Sequence, residues 1–232
     1  MLEEMCSSMK IIVVGNGKVG KTTLTIKYVK GKFTTEYKKT LGVDFLNIKK
    51  YIKSIEKEIE FYIWDTAGQD YYNSITRRYY KGADAALIVF AINDKDSFDN
   101  VIQWYDKIFQ ECNKIPMILV MSKIDLKHEV VVTDNQAIDL AKKLNITFMK
   151  VSSKDNFMVN EVFEKLAIEH YKYVENLEKK NKGIEENNIQ EIKLKSNFIS
   201  YRGNNKKNGF QINKDNNSID KKDNKKKKNC CK

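Results

Sequence analysis

A strand-length apolar run, KIIVV at 10–14, opens directly into GNGKVGKT at 15–22. The octapeptide fills every fixed position of the phosphate-loop pattern G-x-x-x-x-G-K-[ST]. Its glycines let the backbone curl until several N–H groups face one centre, and a helix beginning at the loop's end turns its positive pole to the same point. Lys21 is then placed to reach β- and γ-phosphate oxygens, and the Thr22 hydroxyl to bind Mg²⁺. Gly15, Gly17, Lys18, Val19, Gly20, Lys21, Thr22 and Thr23 are the candidate phosphate residues. Lys18 sits inside the loop, within reach of phosphate and solvent alike. The pattern needs a strand before it and a helix after it, and both are legible here.

Further strand-length apolar runs follow at 59–64 (IEFYIW), 85–91 (AALIVFA), 116–121 (PMILVM) and 146–151 (ITFMKV). Several are apolar throughout, as for strands covered on both faces of a parallel sheet. Stretches with helical spacing stand between most of them. SFDNVIQWYDKIFQEC (97–112) places Phe98, Ile102, Tyr105 and Phe109 on one face. NEVFEKLAIEHYKYVENL (160–177) does the same with Val162, Phe163, Leu166 and Tyr173. Strands alternating with helices predict an α/β sheet wound on both sides. The runs around 43–52 and 58–64 are joined too briefly for a crossover helix, so an antiparallel pair is expected there. The single proline, Pro116, opens a strand, where its missing N–H does least harm.

Three more motifs sit just past the carboxyl ends of strands, where open α/β sheets bind ligands. In WDTAGQD (64–70), Asp65 closes an apolar strand, where a carboxylate holds a metal through its water shell. Gly68 can offer its N–H to a γ-phosphate, and Gln69 can orient an attacking water. In SKID (122–125), Asp125 can accept both the N1–H and N2–H₂ donors of guanine. Adenine lacks that donor pair and would leave the carboxylate unsatisfied, at about 1–3 kcal/mol or more. Lys123 can lay its stem over the base. After the last strand, SSK (Ser152, Ser153 and Lys154) can bring a backbone N–H to guanine O6. Each short motif alone also reads as a solvated turn; position and order give them force.

G-x-x-x-x-G-K-T, D-T-A-G-Q, S-K-I-D and S-S-K, in this order and spacing, resemble the Ras-like small GTPases. LGVDF (41–45), WDTAGQ and YYKGA (79–83) look like the Rab branch. Within it, VVGNGKVGKT, YVKGKFTTEYKKTLGVDFL and VNEVFEKLA look most like the subfamily linked to ciliary and endosomal traffic. The resemblance covers about residues 8–175. It implies a P-loop NTPase fold, α/β, with a six-stranded mostly parallel sheet, one antiparallel strand and about five flanking helices. The implied G domain is 9–178, between an N-terminal extension (1–8) and a hypervariable basic tail (179–232). GTP or GDP with Mg²⁺ is the implied ligand.

The resemblance also implies roles. Phe33 would lie against the guanine and Tyr37 would close over the phosphates. Thr40 would bind Mg²⁺ through its hydroxyl and the γ-phosphate through its N–H, beside the metal-holding Thr22 and Asp65. Loss of the γ-phosphate would release Thr40 and Gly68 together, an order–disorder switch in two segments. Phe45, Trp64 and Tyr79 resemble the aromatic triad on which Rab effectors and regulators dock; by residue type alone they read as core aromatics. A guanine nucleotide exchange factor, a GTPase-activating protein, a GDP-dissociation inhibitor or escort protein, and effectors are the implied partners of a monomer.

Ser122 stands where the family pattern has Asn, whose side chain touches guanine N7 and ties its loop to the phosphate loop. Serine is shorter and is not expected to do both. Weaker affinity or faster exchange follows, with specificity kept by Asp125. Asp70 replaces the usual Glu, and YYNSIT (71–76) a more Arg- and Phe-rich stretch, which bears on partner identity rather than chemistry. Gly17 leaves room for Gln69 and for an inserted arginine finger, so hydrolysis is expected. Arg77 and Arg78 are expected to meet partners or solvent, so turnover without an activating protein should be slow.

The net charge of +11 is unevenly placed. Residues 181–232 hold 14 Lys and Arg against 6 Asp and Glu, with a dozen asparagines. Such a tail cannot bury enough apolar surface to offset ordering entropy, so disorder is expected. Cys6, Cys112, Cys230 and Cys231 are too sparse for a disulfide framework, and a reducing compartment is expected. MLEEMCSSMK is acidic without an apolar core, so no leader is expected, and no run approaches the ~18–20 residues that span a bilayer.

KKKKNCCK fails the C-a-a-X rule because Asn229 holds the required cysteine position. Rabs carry paired cysteines, including the C-C-X form, so the resemblance implies a geranylgeranyl group on each of Cys230 and Cys231. Two chains anchor stably where one does not. Lys221, Lys222 and Lys225–Lys228 would add ~1 kcal/mol each near an anionic cytoplasmic leaflet. The expected location is the cytoplasmic face of endosomal or plasma membranes, with an escorted cytosolic pool. A nucleotide-loaded scaffold with little hydrolysis is the alternative reading. Nucleic-acid binding is not expected, because the tail lysines lack interleaved aromatics. An ATPase would have no evident use for Asp125.

Overall fold

The structure is a computed structural model and describes residues 7–35, 40, 42–68 and 78–180. Six strands form one sheet: β1 (Ser7–Val14), β2 (Val43–Ile52), β3 (Lys57–Thr66), β4 (Ala85–Ala91), β5 (Met117–Ser122) and β6 (Thr147–Lys150). Their spatial order is β2-β3-β1-β4-β5-β6. Only β2 and β3 pair antiparallel; the other pairings are parallel. A short 3₁₀ turn at Lys53–Ile55 joins those two, with Glu56 in the left-handed region, which is too brief for a crossover. The predicted six-stranded sheet and its antiparallel pair are therefore present.

The helices are α1 (Lys21–Lys30), α2 (Lys95–Asp99), α3 (Val101–Cys112), α4 (Asp134–Leu144) and α5 (159–180). A helical turn also occupies 78–80. Strand alternation splits the core into two layers. Ile11 and Val13 of β1, Leu87 and Val89 of β4, and Ile118 and Val120 of β5 pack with α1 and α5. Ile12, Val14, Ala86, Ile88, Leu119 and Met121 pack with α2, α3 and α4. Burial on both faces explains why these strands read as continuous apolar runs. Tyr28 pins α1 to α5 by stacking on Phe163 at 3.9 Å between centroids and meeting Phe61 edge-on.

One expected helix face is wrong. On α3 the buried stripe is Val101, Trp104 and Ile108, while Ile102 and Phe109 are about half exposed, at 48% and 50%. Tyr105, partly buried against the same core layer, stacks on Phe109. The stretch 97–112 is two helices rather than one, with Asn100 between them. Phe98 is buried from the first, and α3 then presents positions 101, 104 and 108 to the sheet. On α5, Val162, Phe163 and Leu166 are buried as predicted, while Tyr173, near the end of the helix, is only partly buried.

Candidate nucleotide site

β1 delivers the loop. Beyond Val14 the chain turns at Gly15 with φ +139°, and a Cβ there would fall 2.0 Å from the Val89 carbonyl oxygen of β4. No side chain fits that gap. Gly20 precedes α1 in the left-handed region without a side-chain cap, and α1 has no acid in its first turn. The first-turn N–H groups therefore lack a side-chain acceptor, an arrangement that favours an anion. Lys21 is buried and donates from Nζ to the Gly15 and Asn16 carbonyls, both at 2.8 Å. Burial lowers its pKa to about 8, while the Asp65 carboxylate pulls it partly back.

β3 delivers Asp65, fully buried, to the same place. Its Oδ2 accepts the Thr22 hydroxyl at 2.5 Å, and the Thr22 and Thr40 hydroxyls lie 2.9 Å apart. Asp65 Oδ1 is buried without a hydrogen-bond partner. Burial raises this carboxyl to about 6, against the opposing pull of Thr22 and Lys21. An orphaned buried carboxylate oxygen is rare in proteins. Beside two hydroxyls it makes a hard-oxygen donor set, which fits Mg²⁺ with water completing its shell. Among the described residues, no group of three His, Cys, Asp or Glu offers another metal site.

β5 and the loop after β6 supply the third wall. Ser122 is buried and shares its one hydroxyl proton between the carbonyls of Val19, at 2.5 Å, and Phe90, at 2.9 Å. It thus ties β5 to the phosphate loop and has no hydrogen left for a base nitrogen. Asp125 Oδ1 accepts from the Ser152 hydroxyl at 2.9 Å, and Ser152 Oγ also accepts the Asp155 N–H at 3.0 Å. Ser152, fully buried, stands behind the carboxylate and orients it.

These elements surround a cavity of about 870 Å³, within the range of small-molecule sites. Its wall brings together Gly17, Lys18, Gly20, Lys21, Thr22 and Thr23 with Phe33, Thr40, Gly68, Ser122, Lys123, Asp125, Ser153 and Lys154. Gly15, Val19 and Ser152 stand outside the wall. Tyr37, Gln69, Asp70, the stretch 71–77 and the tail with Cys230 and Cys231 lie outside the described residues. Gly68 lies so close to the loop that a Cβ would sit 2.3 Å from the Asn16 carbonyl carbon and the Gly17 nitrogen.

Phe45 and Trp64 face each other across the β2–β3 ladder, with rings 5.5 Å apart, and Tyr79 lies 5.7 Å from Trp64. Phe45 is 53% exposed. The three are connected, but only Phe45, on the edge strand β2, is open; Trp64 and Tyr79 are partly buried and pack against the core layer beneath. Lys10 Nζ lies 4.5 Å from the Trp64 ring centroid.

Sequence reasoning missed Ile26, Lys32, Thr34, Thr35 and Ala67 on the cavity wall, and two further features. Leu126 lines the cavity beside Asp125, and its place directly after SKID was the available signal. Asn16 accepts the Trp104 indole N–H through Oδ1 at 2.9 Å. No signal marked it, because the loop pattern leaves that position open.

The Ras family model matches residues 10–172. The Ras-related protein SEC4 of Saccharomyces cerevisiae is 36% identical over 165 residues, covering 69% of this chain and 74% of that protein. The Ras-related protein Rab-3C of Bos taurus is 36% identical over 159 residues, covering 68% and 69%. The Ras-related protein RABG3a of Arabidopsis thaliana is 37% identical over 167 residues, covering 68% and 80%.

Proposed function

This chain belongs to the Ras family of small GTPases, with Rab and SEC4 proteins among its relatives, and from that premise we propose that it is a membrane-anchored guanine-nucleotide switch that recruits effectors in vesicle traffic. GTP hydrolysis is the family's activity. The observation that carries the finer reading is the cluster of Thr22, Thr40 and the half-satisfied Asp65 beside a cavity that also holds Asp125. Thr22 and Asp65 would hold Mg²⁺, with Thr40 added when the γ-phosphate is bound. The ion would supply charge neutralisation between the β- and γ-phosphates.

The chain's own residues would do the rest. Lys21 and the loop N–H groups hold the phosphates. Asp125, oriented by Ser152, selects guanine. Gln69 orients the attacking water. No described arginine lines the cavity, in keeping with slow intrinsic turnover and an activating protein in trans. Exchange factor, escort protein and effectors complete the partner set, with the aromatic patch as their docking surface. The branch linked to ciliary and endosomal traffic remains the subfamily proposed. Anchoring is assigned to geranylgeranyl groups on Cys230 and Cys231 at a cytoplasmic membrane face; among the described residues no helix is long and apolar enough to cross a membrane.

One observation favours a second reading. Ser122 gives its proton to two carbonyls and none to the base, so a loosely loaded scaffold with little hydrolysis is the alternative. The deciding experiment is to purify the protein with Mg²⁺, extract its nucleotide and measure GDP release. Bound GDP or GTP with measurable release supports the switch. An empty protein, or one indifferent between GTP and ATP, refutes it.

A further inference from the structure

We propose that Asn16 is a positioning residue: held by the Trp104 indole, it sets the phosphate-loop backbone for the γ-phosphate-bearing nucleotide. The inference rests on the guanine-nucleotide reading above. Trp104 is almost fully buried on α3, and an indole N–H in an apolar layer needs an acceptor. It finds Asn16 Oδ1 at 2.9 Å, across 88 residues of sequence. The Asn16 carbonyl in turn accepts Lys21 Nζ at 2.8 Å. The carbonyl carbon and oxygen of Asn16 are also the atoms that a Cβ on Gly68 would meet at 2.3 and 2.4 Å.

One residue therefore touches the α3 core by its side chain, and by its backbone both groups expected at the γ-phosphate. Asn16 is not part of the cavity wall, so its influence passes through that backbone. Removing the tether frees the peptide that carries the Lys21 acceptor and the Gly68 buttress. The β-phosphate keeps the other loop N–H groups and the α1 terminus besides Lys21, whereas the γ-phosphate has only Lys21, Gly68 and Thr40 to meet and so leans harder on the first two. The tether should thus matter more for GTP than for GDP.

The test is release of fluorescent GDP and of a non-hydrolysable GTP analogue from the full-length Mg²⁺-loaded protein. Asn16→Ala should speed release of the GTP analogue about tenfold, one hydrogen bond's worth, and GDP release less than about threefold. Trp104→Phe keeps an aromatic ring but removes the N–H, and should do the same. The double variant should be no faster than either, since both remove one bond. Should Trp104→Phe fail to fold, the half-buried Asn16→Ala carries the test through the ratio of the two rates. Equal acceleration of both nucleotides, or additive effects of the two changes, overturns the positioning role. A wild-type protein that retains neither nucleotide overturns the guanine reading beneath it instead.

Discussion

Ser122 shows how one atom divides a role. The family's asparagine is expected to tie two loops together and to touch the base. Here a hydroxyl 2.5 Å from the Val19 carbonyl and 2.9 Å from that of Phe90 does the tying, and its single proton is then used. A side chain with two N–H donors could serve both. Ser122→Asn should therefore slow GDP release by about five- to tenfold, the effect of one gained hydrogen bond. Stopped-flow release of a fluorescent GDP checks this, and an unchanged rate would show that Ser122 costs nothing. Asp65 makes a complementary point. A carboxylate with one oxygen unpartnered in the interior is costly by itself, and with the Thr22 and Thr40 hydroxyls it makes a donor set that fits a cation.

At the scale of elements, α3 is the place where the apolar pattern misled. Its sequence offers two stripes, Ile102–Tyr105–Phe109 and Val101–Trp104–Ile108; the sheet takes the second and of the first only the flank of Tyr105. Stability should follow burial. Ile108→Ala should cost about 2–5 kcal/mol through transfer and cavity terms. Ile102→Ser should stay within about 0.5 kcal/mol, as for ordinary surface changes, and Phe109→Ser should cost about 1 kcal/mol through its stacked pair with Tyr105. Urea unfolding measures both. A large loss at Ile102 or Phe109 would mean that a contact on the outer face stabilises the fold. The β2–β3 pair tells the same story at an edge: Phe45 and Trp64 meet across the ladder, but the edge strand leaves Phe45 open to solvent and to partners.

For the whole molecule, the two buried charges set a pH profile. Asp65 has its carboxyl raised to about 6 by burial. Without metal, the folded state holds that proton more tightly than the unfolded chain, so stability is lost as pH rises through roughly 4 to 6. Lys21, lowered to about 8 by burial, works in the other sense. The unfolded chain binds more protons above that value, so stability returns as pH rises through roughly 8 to 10. Nucleotide-free, EDTA-treated protein should show a stability trough between these windows, which Mg²⁺ and nucleotide fill by mass action. Urea midpoints at pH 5, 7 and 9.5 test this, and Asp65→Asn should flatten the acid side. A midpoint highest at pH 7 in wild type would contradict it. The anchoring proposal is also a whole-molecule claim. Cys230→Ser with Cys231→Ser should move the protein from membrane to soluble fractions with nucleotide release unchanged, and retained membrane binding would exclude lipidation as the anchor.

The glycine loop, the SKID turn and the two-sided sheet were legible in the chain because each is local. A loop of glycines before a helix, or an apolar run between turns, carries its physics within a few residues. Asp65 and Asp125 were found the same way, at the ends of strands. Tertiary structure alone decided what lies between distant segments. It chose which stripe of α3 faces the sheet, since two apolar stripes of one helix differ only in what they meet. It set Ser152 behind Asp125 rather than on the cavity wall, and bound Asn16 to Trp104. Burial and hydrogen-bond partners are properties of neighbours in space, and no spacing along the chain encodes them.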